Sequence, residues 1–165
     1  YIEFGAYKGF SLTEVFRATR KLNIKANFFI FDSFKGLPHS EGIFKKYSFS
    51  VSLLAFKIYL CLRGVDYSKI KIFEGWYSET LNSTTLKNMN ISSVDLVYVD
   101  CDLYSSTKEA LKFIEPICKQ GTIIIFDDYY DAGESQAFLE WKLNSKFDLY
   151  CDMPWRHIKG FRMVR

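Results

Sequence analysis

The chain reads as an α/β protein built on an open, mostly parallel sheet with helices on both faces. Short apolar runs alternate with segments of helical spacing from Ile2 to Leu143, which is the signature of repeated β–α–β units. Most of these runs end in a glycine or an acid, at Gly5, Asp32, Glu74, Asp100 and Asp127. The last two runs, 147–151 and 160–164, have no helix between them, so one of those strands is expected to be antiparallel.

In order, Tyr1–Phe4 reads as a strand, and the chain is expected to continue upstream of it. Gly5 and Gly9 bracket a tight loop. Ser11 with Glu14 has the spacing of a capping box, and Leu12, Val15, Phe16, Thr19 and Leu22 repeat at helical intervals. Residues 27–31 form a second strand ending at Asp32, followed by the turn-rich Ser33-Phe-Lys-Gly-Leu-Pro38. Residues 39–50 show no period. A helix from Val51 is expected to bury Leu54, Ala55, Ile58 and Leu62, with Gly64 at its end. Ile70–Phe73 is a third strand, running into Glu74-Gly-Trp76, and a short helix is expected within 78–90. Val94–Val99 is the fourth strand. Ser106 and Glu109 suggest another capping box, ahead of an apolar face of Ala110, Phe113, Ile114 and Ile117. Residues 122–126 are the fifth strand, and 134–143 a helix with Ala137, Phe138 and Trp141 inward. The two final strands are expected to join across Pro154.

At 165 residues the chain fits one domain, 1–165, large enough for a sizeable core. A formal charge of +3 with scattered basic residues argues against a nucleic-acid partner. No apolar run reaches the ~20 residues a membrane span needs. Cys61, Cys101, Cys118 and Cys151 are widely spaced, which favours reduced thiols in a cytoplasmic protein over a disulfide framework or zinc site. With only His39 and His157, a histidine metal site is not expected. His157 reads as a surface residue, and Arg156, Lys159, Arg162 and Arg165 as a solvated face.

The chemistry concentrates at strand ends. Asp100 and Asp102 follow the fourth strand, and Asp127 and Asp128 the fifth. If those strands are parallel neighbours, four carboxylates converge at the edge where open α/β sheets bind ligands. Such acids repel one another unless a cation joins them or their pKa values rise. Oxygen ligands from Asp100, Asp127 and Asp128 suit Mg²⁺. Asp102 is placed either as a general base or as a helix cap. In the first loop, Glu3-x-Gly5-x-x-x-Gly9 permits close backbone approach to a ligand, though its spacing is not that of dinucleotide sites. Asp32 sits where an acid holds ribose hydroxyls in such folds, and Trp76 reads as either an adenine neighbour or core.

Taken together, Glu3-Phe-Gly-Ala-Tyr-Lys-Gly9, Phe31-Asp-Ser-Phe-Lys-Gly-Leu-Pro38, Glu74-Gly-Trp76, Asp100-Cys-Asp-Leu-Tyr-Ser-Ser-Thr107 and Phe126-Asp-Asp-Tyr129 resemble class I S-adenosylmethionine (SAM) methyltransferases. More closely, the chain resembles the macrocin O-methyltransferase family, which methylates sugar hydroxyls of macrolide and aminocoumarin antibiotics. The resemblance covers Tyr1 to about Leu143. It implies a Rossmann-like, seven-stranded sheet with a reversed last strand. It implies that Glu3, Gly5, Tyr7, Gly9 and Ser11 border the methionine part of SAM, that Asp32 holds the ribose, that Ser33 also binds the cofactor, and that Gly75 and Trp76 lie near adenine. Asp100 would touch both SAM and Mg²⁺, Asp127 and Asp128 would complete the metal site, and Asp102 would be the base. Family members also carry an N-terminal helical segment that helps build the lid and a homo-oligomer. The activity implied is Mg²⁺-dependent methyl transfer to a hydroxyl of a sugar or similar small molecule.

Two other functions remain open on the sequence. Asp100-Cys-Asp102 also matches the D-x-D pattern of nucleotide-sugar glycosyltransferases, although that class does not require the first loop or Asp127-Asp128. A non-catalytic SAM-fold module is the third reading.

Overall fold

The computed structural model describes residues 1–130, 133–154 and 157–164, with side chains assigned throughout these except at 152–154. The elements are β1 (Ile2–Phe4), α1 (Phe10–Lys21), β2 (Phe28–Asp32), α2 (Leu53–Leu62), β3 (Ile70–Glu74), α3 (Tyr77–Thr80), α4 (Ser83–Met89), β4 (Leu96–Val99), α5 (Tyr104–Ile114), β5 (Ile123–Phe126), α6 (Glu134–Asn144), β6 (Leu149–Pro154) and β7 (Lys159–Met163). One seven-stranded sheet has the order β3-β2-β1-β4-β5-β7-β6. The first five strands are parallel, and β7 runs antiparallel to both β5 and β6. This is the expected Rossmann-like architecture. Strand order reverses between β1 and β4, and ligands bind outside the carboxyl ends of strands at such a switch point.

Strand alternation sorts the sheet's side chains onto two faces. Ile2, Phe4, Phe29, Phe31, Val97, Val99, Ile124 and Phe126 are buried with Ala110, Leu111, Phe113 and Ile114 of α5 and Phe138 of α6. Phe31 and Phe73 stack at 4.5 Å between ring centroids, and Phe138 and Phe161 at 4.2 Å. Aromatic pairs of this kind add about 0.5–1.5 kcal/mol beyond the area they bury. On the other face, Phe28, Ile30 and Ile70 pack with Leu12 and Phe16 of α1 and Phe56 and Leu60 of α2. Among the described residues no helix is long and apolar enough to cross a membrane, and all four cysteines are free thiols.

Several local expectations are corrected. Ser11 and Glu14 do not form a capping box: α1 begins at Phe10 behind Gly9, with no side-chain cap, and Glu14 pairs with Arg17 instead. Ser106 does not cap α5, which begins at Tyr104 behind Leu103; Ser106 is buried inside the helix. In α2, Leu54, Ile58 and Leu62 are exposed and Phe56 and Leu60 are the buried pair. Apart from Lys57, every residue of Leu-Leu-Ala-Phe-Lys-Ile-Tyr-Leu-Cys-Leu is apolar, so its period does not define the inward side. The 78–90 segment holds parts of two helices, α3 and α4, divided at Asn82, whose side chain accepts from Thr85 N. Pro154 lies at the end of β6 rather than in a connection.

Candidate active site

Asp32 ends β2 and organises the loop that follows β1. Its Oδ2 accepts from Ala6 N at 2.7 Å and Tyr7 N at 3.0 Å, and its Oδ1 from Phe34 N at 2.7 Å. Gly5 sits at φ 80°, and a Cβ there would lie 1.8 Å from the Asp100 carbonyl oxygen. Glycine is therefore required for the β1 loop to lie against the end of β4, which brings both loops to one cleft. Gly9, at φ 71°, abuts Leu60 and Phe56 of α2, so its closeness serves helix packing.

Glu3 is fully buried between β1 and α1. It accepts hydrogen bonds from the hydroxyls of Tyr1 and Ser11. Burial pushes its carboxyl up to about 7 against the opposing pull of those two bonds, and Asp32 and Asp127 add to the rise. The Ser11 hydroxyl is thus spent on a buried acid, which explains why it caps nothing.

At the β4 and β5 ends, carboxylate oxygens of Asp100, Asp127 and Asp128 come within 4.8 Å of one another. Parallel pairing of Val99 with Phe126 is what aligns them. Burial, and then the charges of Asp127, Asp102, Glu134 and Glu3, hold Asp100 well above the usual carboxylate range. Asp102 sits at φ 61° in the left-handed region, which Asp tolerates better than most residues. Burial pushes it up to about 7, followed by the charge of Asp128 and a hydrogen bond with it. It does not cap α5. Beneath this turn Glu134 is fully buried; its Oε1 accepts from Cys101 N at 3.3 Å, while Oε2 has no hydrogen-bond partner among the described residues. Burial raises Glu134 to about 8. Tyr98 lies on β4 below the cluster and donates its hydroxyl to Asp127 Oδ1. Three clustered hard oxygen donors in mutual repulsion fit a divalent cation such as Mg²⁺.

A cavity of about 480 Å³ opens over both loops. Of the residues singled out in the sequence, Gly5, Tyr7, Asp32, Ser33, Gly75, Trp76, Asp100, Asp102, Asp127 and Asp128 line it. Glu3, Gly9 and Ser11 do not; they stand behind the loop. Pro38, His39, Phe49, Tyr77, Ser105 and Glu109 also line it and were not anticipated. His39 Nε2 lies 3.5 Å from Ser105 Oγ and 3.5 Å from Glu41 Oε2, and Glu41 Oε1 accepts from Tyr104 N at 2.9 Å. These contacts tie the irregular 39–50 segment to the start of α5. A histidine in a stretch without periodicity carries no sequence signal for this. His157 is exposed, as expected. Arg162 is exposed too, but Lys159 is half-buried over the rings of Tyr129 and Tyr130 at 5.1 and 4.6 Å. Arg156 and Arg165 lie outside the described residues.

The profile described as "Macrocin-O-methyltransferase (TylF)" matches residues 1–149. The chain belongs to the macrocin-O-methyltransferase family. It is an O-methyltransferase, which decides against the glycosyltransferase reading of Asp100-Cys-Asp102. The chain is similar in structure to the O-methyltransferase NovP, with TM-score 0.82, 20% identity, and coverage of 99% of this chain and 71% of that one. Calicheamicin methyltransferase CalS11 gives TM-score 0.76 at 22% identity over 98% and 70%. The SAH-bound methyltransferase PaMTH1 of Podospora anserina gives 0.63 at 17% over 99% and 71%. At these identities the likeness speaks for the fold. No curated protein sequence matches the chain.

Proposed function

We propose that this chain, acting as a single methyltransferase domain, moves a methyl group from SAM to a hydroxyl of a sugar or similar small molecule in a Mg²⁺-dependent reaction. The observation that carries the proposal is the meeting of Asp100, Asp127 and Asp128 in the same cavity as Asp32, Gly75 and Trp76. NovP is an O-methyltransferase and CalS11 a calicheamicin methyltransferase, a TDP-rhamnose 3'-O-methyltransferase; a sugar-like acceptor follows from them by analogy. PaMTH1 holds SAH, which supports SAM as the donor.

Asp32 is assigned the ribose hydroxyls. An ionised carboxyl has about four acceptor sites; three backbone N–H groups already use Asp32, so capacity remains. Gly5 and Tyr7 border the methionine moiety, Ser33 lies beside the ribose, and Gly75 and Trp76 flank adenine. Glu3, Gly9 and Ser11 support this loop from behind. Asp100, Asp127 and Asp128 hold the cation. When bound, Mg²⁺ supplies Lewis-acid polarisation of the acceptor hydroxyl and SAM an electrophilic methyl. Asp102 takes the acceptor's proton, and a pKa of about 7 suits a base working near neutrality. Tyr77 and Phe49 add aromatic surface to the cavity wall. Free thiols fit a cytoplasmic setting, and a homo-oligomer fits the family.

The test is methyl transfer from labelled SAM to a panel of sugars and catechols, with and without EDTA, alongside thermal-shift titration with SAM. Stabilisation by SAM and EDTA-sensitive transfer are expected. Failure of SAM to stabilise the chain, or full activity in EDTA, counts against the proposal.

A further inference from the structure

We propose that Tyr98 is a positioning residue for the cation site, its hydroxyl fixing Asp127 so that one carboxylate oxygen is committed to the protein and the other is left for the ion. The inference rests on the reading of Asp100, Asp127 and Asp128 as metal ligands.

Glu3 on β1 pairs with Tyr98 on β4, and Tyr98 with Ile125 on β5. Asp100 and Asp127 lie two residues beyond Tyr98 and Ile125, so alternation returns both acids to the face that carries the Tyr98 ring. Tyr98 is half-buried, and its hydroxyl donates to Asp127 Oδ1. A phenylalanine would pack this face equally well, whereas a half-buried hydroxyl needs a partner to offset its desolvation. The partner found is one of the three clustered acids. A neutral donor is also the suitable kind: it immobilises the carboxylate without placing a positive charge beside a site meant for a cation. With Oδ1 accepting from the Tyr98 hydroxyl, Oδ2 is the Asp127 oxygen assigned to the ion. Its rotamer is set before the ion arrives, and removing such supporting hydrogen bonds typically weakens metal binding ~10–100-fold.

The test is Tyr98→Phe in the full chain, which keeps the ring and deletes only the donor. Mg²⁺ affinity is measured by calorimetry and Mn²⁺ affinity by electron paramagnetic resonance, with SAM affinity and the melting temperature in EDTA as controls. A roughly 10-fold or greater loss of metal affinity, with SAM affinity and metal-free melting unchanged, is the expected result. Equal metal affinity in variant and parent overturns the role of Tyr98 and leaves the cation site standing. A parent chain that binds neither ion overturns both. A fall in metal-free melting that accounts for the loss would make Tyr98 a packing residue only, and that too would overturn the inference.

Discussion

Asp32 and Asp127 end strands of the same sheet and face the same cavity, yet they are satisfied differently. Asp32 is held by three backbone N–H donors from two loops. Asp127 has the Tyr98 hydroxyl on one oxygen and otherwise lies among other carboxylates. The loop around Asp32 is therefore held by hydrogen bonds within the protein, whereas the ends of β4 and β5 crowd carboxylates together. The lesson is that one half of the cleft is preorganised by hydrogen bonds, and the other brings like charges together.

The sharpest way to break this comparison is Asp127→Ala. Turnover is expected to fall well beyond the ~10–100-fold typical of supporting residues, while SAM affinity, measured by calorimetry, stays near that of the parent. An equal loss of SAM binding would erase the distinction between the two halves. Asp102→Asn is expected to cut kcat by about 10²–10⁴-fold, the usual contribution of a general base, and to spare Mg²⁺ affinity. If metal binding falls instead, Asp102 is a ligand. Asp32→Ala should do the reverse of Asp127→Ala: SAM binding weakens, Mg²⁺ binding persists, and urea denaturation shows a loss of about 1–3 kcal/mol from unsatisfied N–H groups.

The smallest effect concerns the buried acids behind the site. Glu3 and Glu134 have folded pKa values of about 7 and about 8, raised from 4.5. An acid raised on folding contributes stability that is whole below its unfolded pKa and is lost as pH rises through its folded one. The metal-free chain should accordingly lose stability steadily between about pH 5 and about pH 8. Glu134→Gln should flatten that slope in chemical denaturation followed across pH. An unchanged slope would show that Glu134 is ionised and solvated in the fold.

Strand positions and the convergence of acids were legible because apolar β-branched and aromatic runs stop abruptly at charged residues. Val94–Val99 then Asp100, and Ile123–Phe126 then Asp127, leave little choice of register. Helix faces and caps were less legible. Ser11-x-x-Glu14 has the spacing of a capping box, but a buried Glu3 claims the Ser11 hydroxyl, and only the packed fold shows that competitor. In α2 the inward pair Phe56 and Leu60 is chosen by contact with Gly9 and Phe34, not by any period. His39 and Phe49 reach the cavity through an irregular segment held by Leu37–Ser48 and Leu37–Tyr47 backbone hydrogen bonds, which no local pattern announces. Tyr98 was hidden for the opposite reason: within an apolar strand it reads as ordinary core.

The most direct measurement is calorimetric titration of Mg²⁺ into the metal-stripped chain and into its Asp127→Ala variant. One saturable site in the parent, absent from the variant, is the expected result. No binding by the parent, or the same isotherm in both, would contradict the assignment of Asp100, Asp127 and Asp128 as a shared cation site.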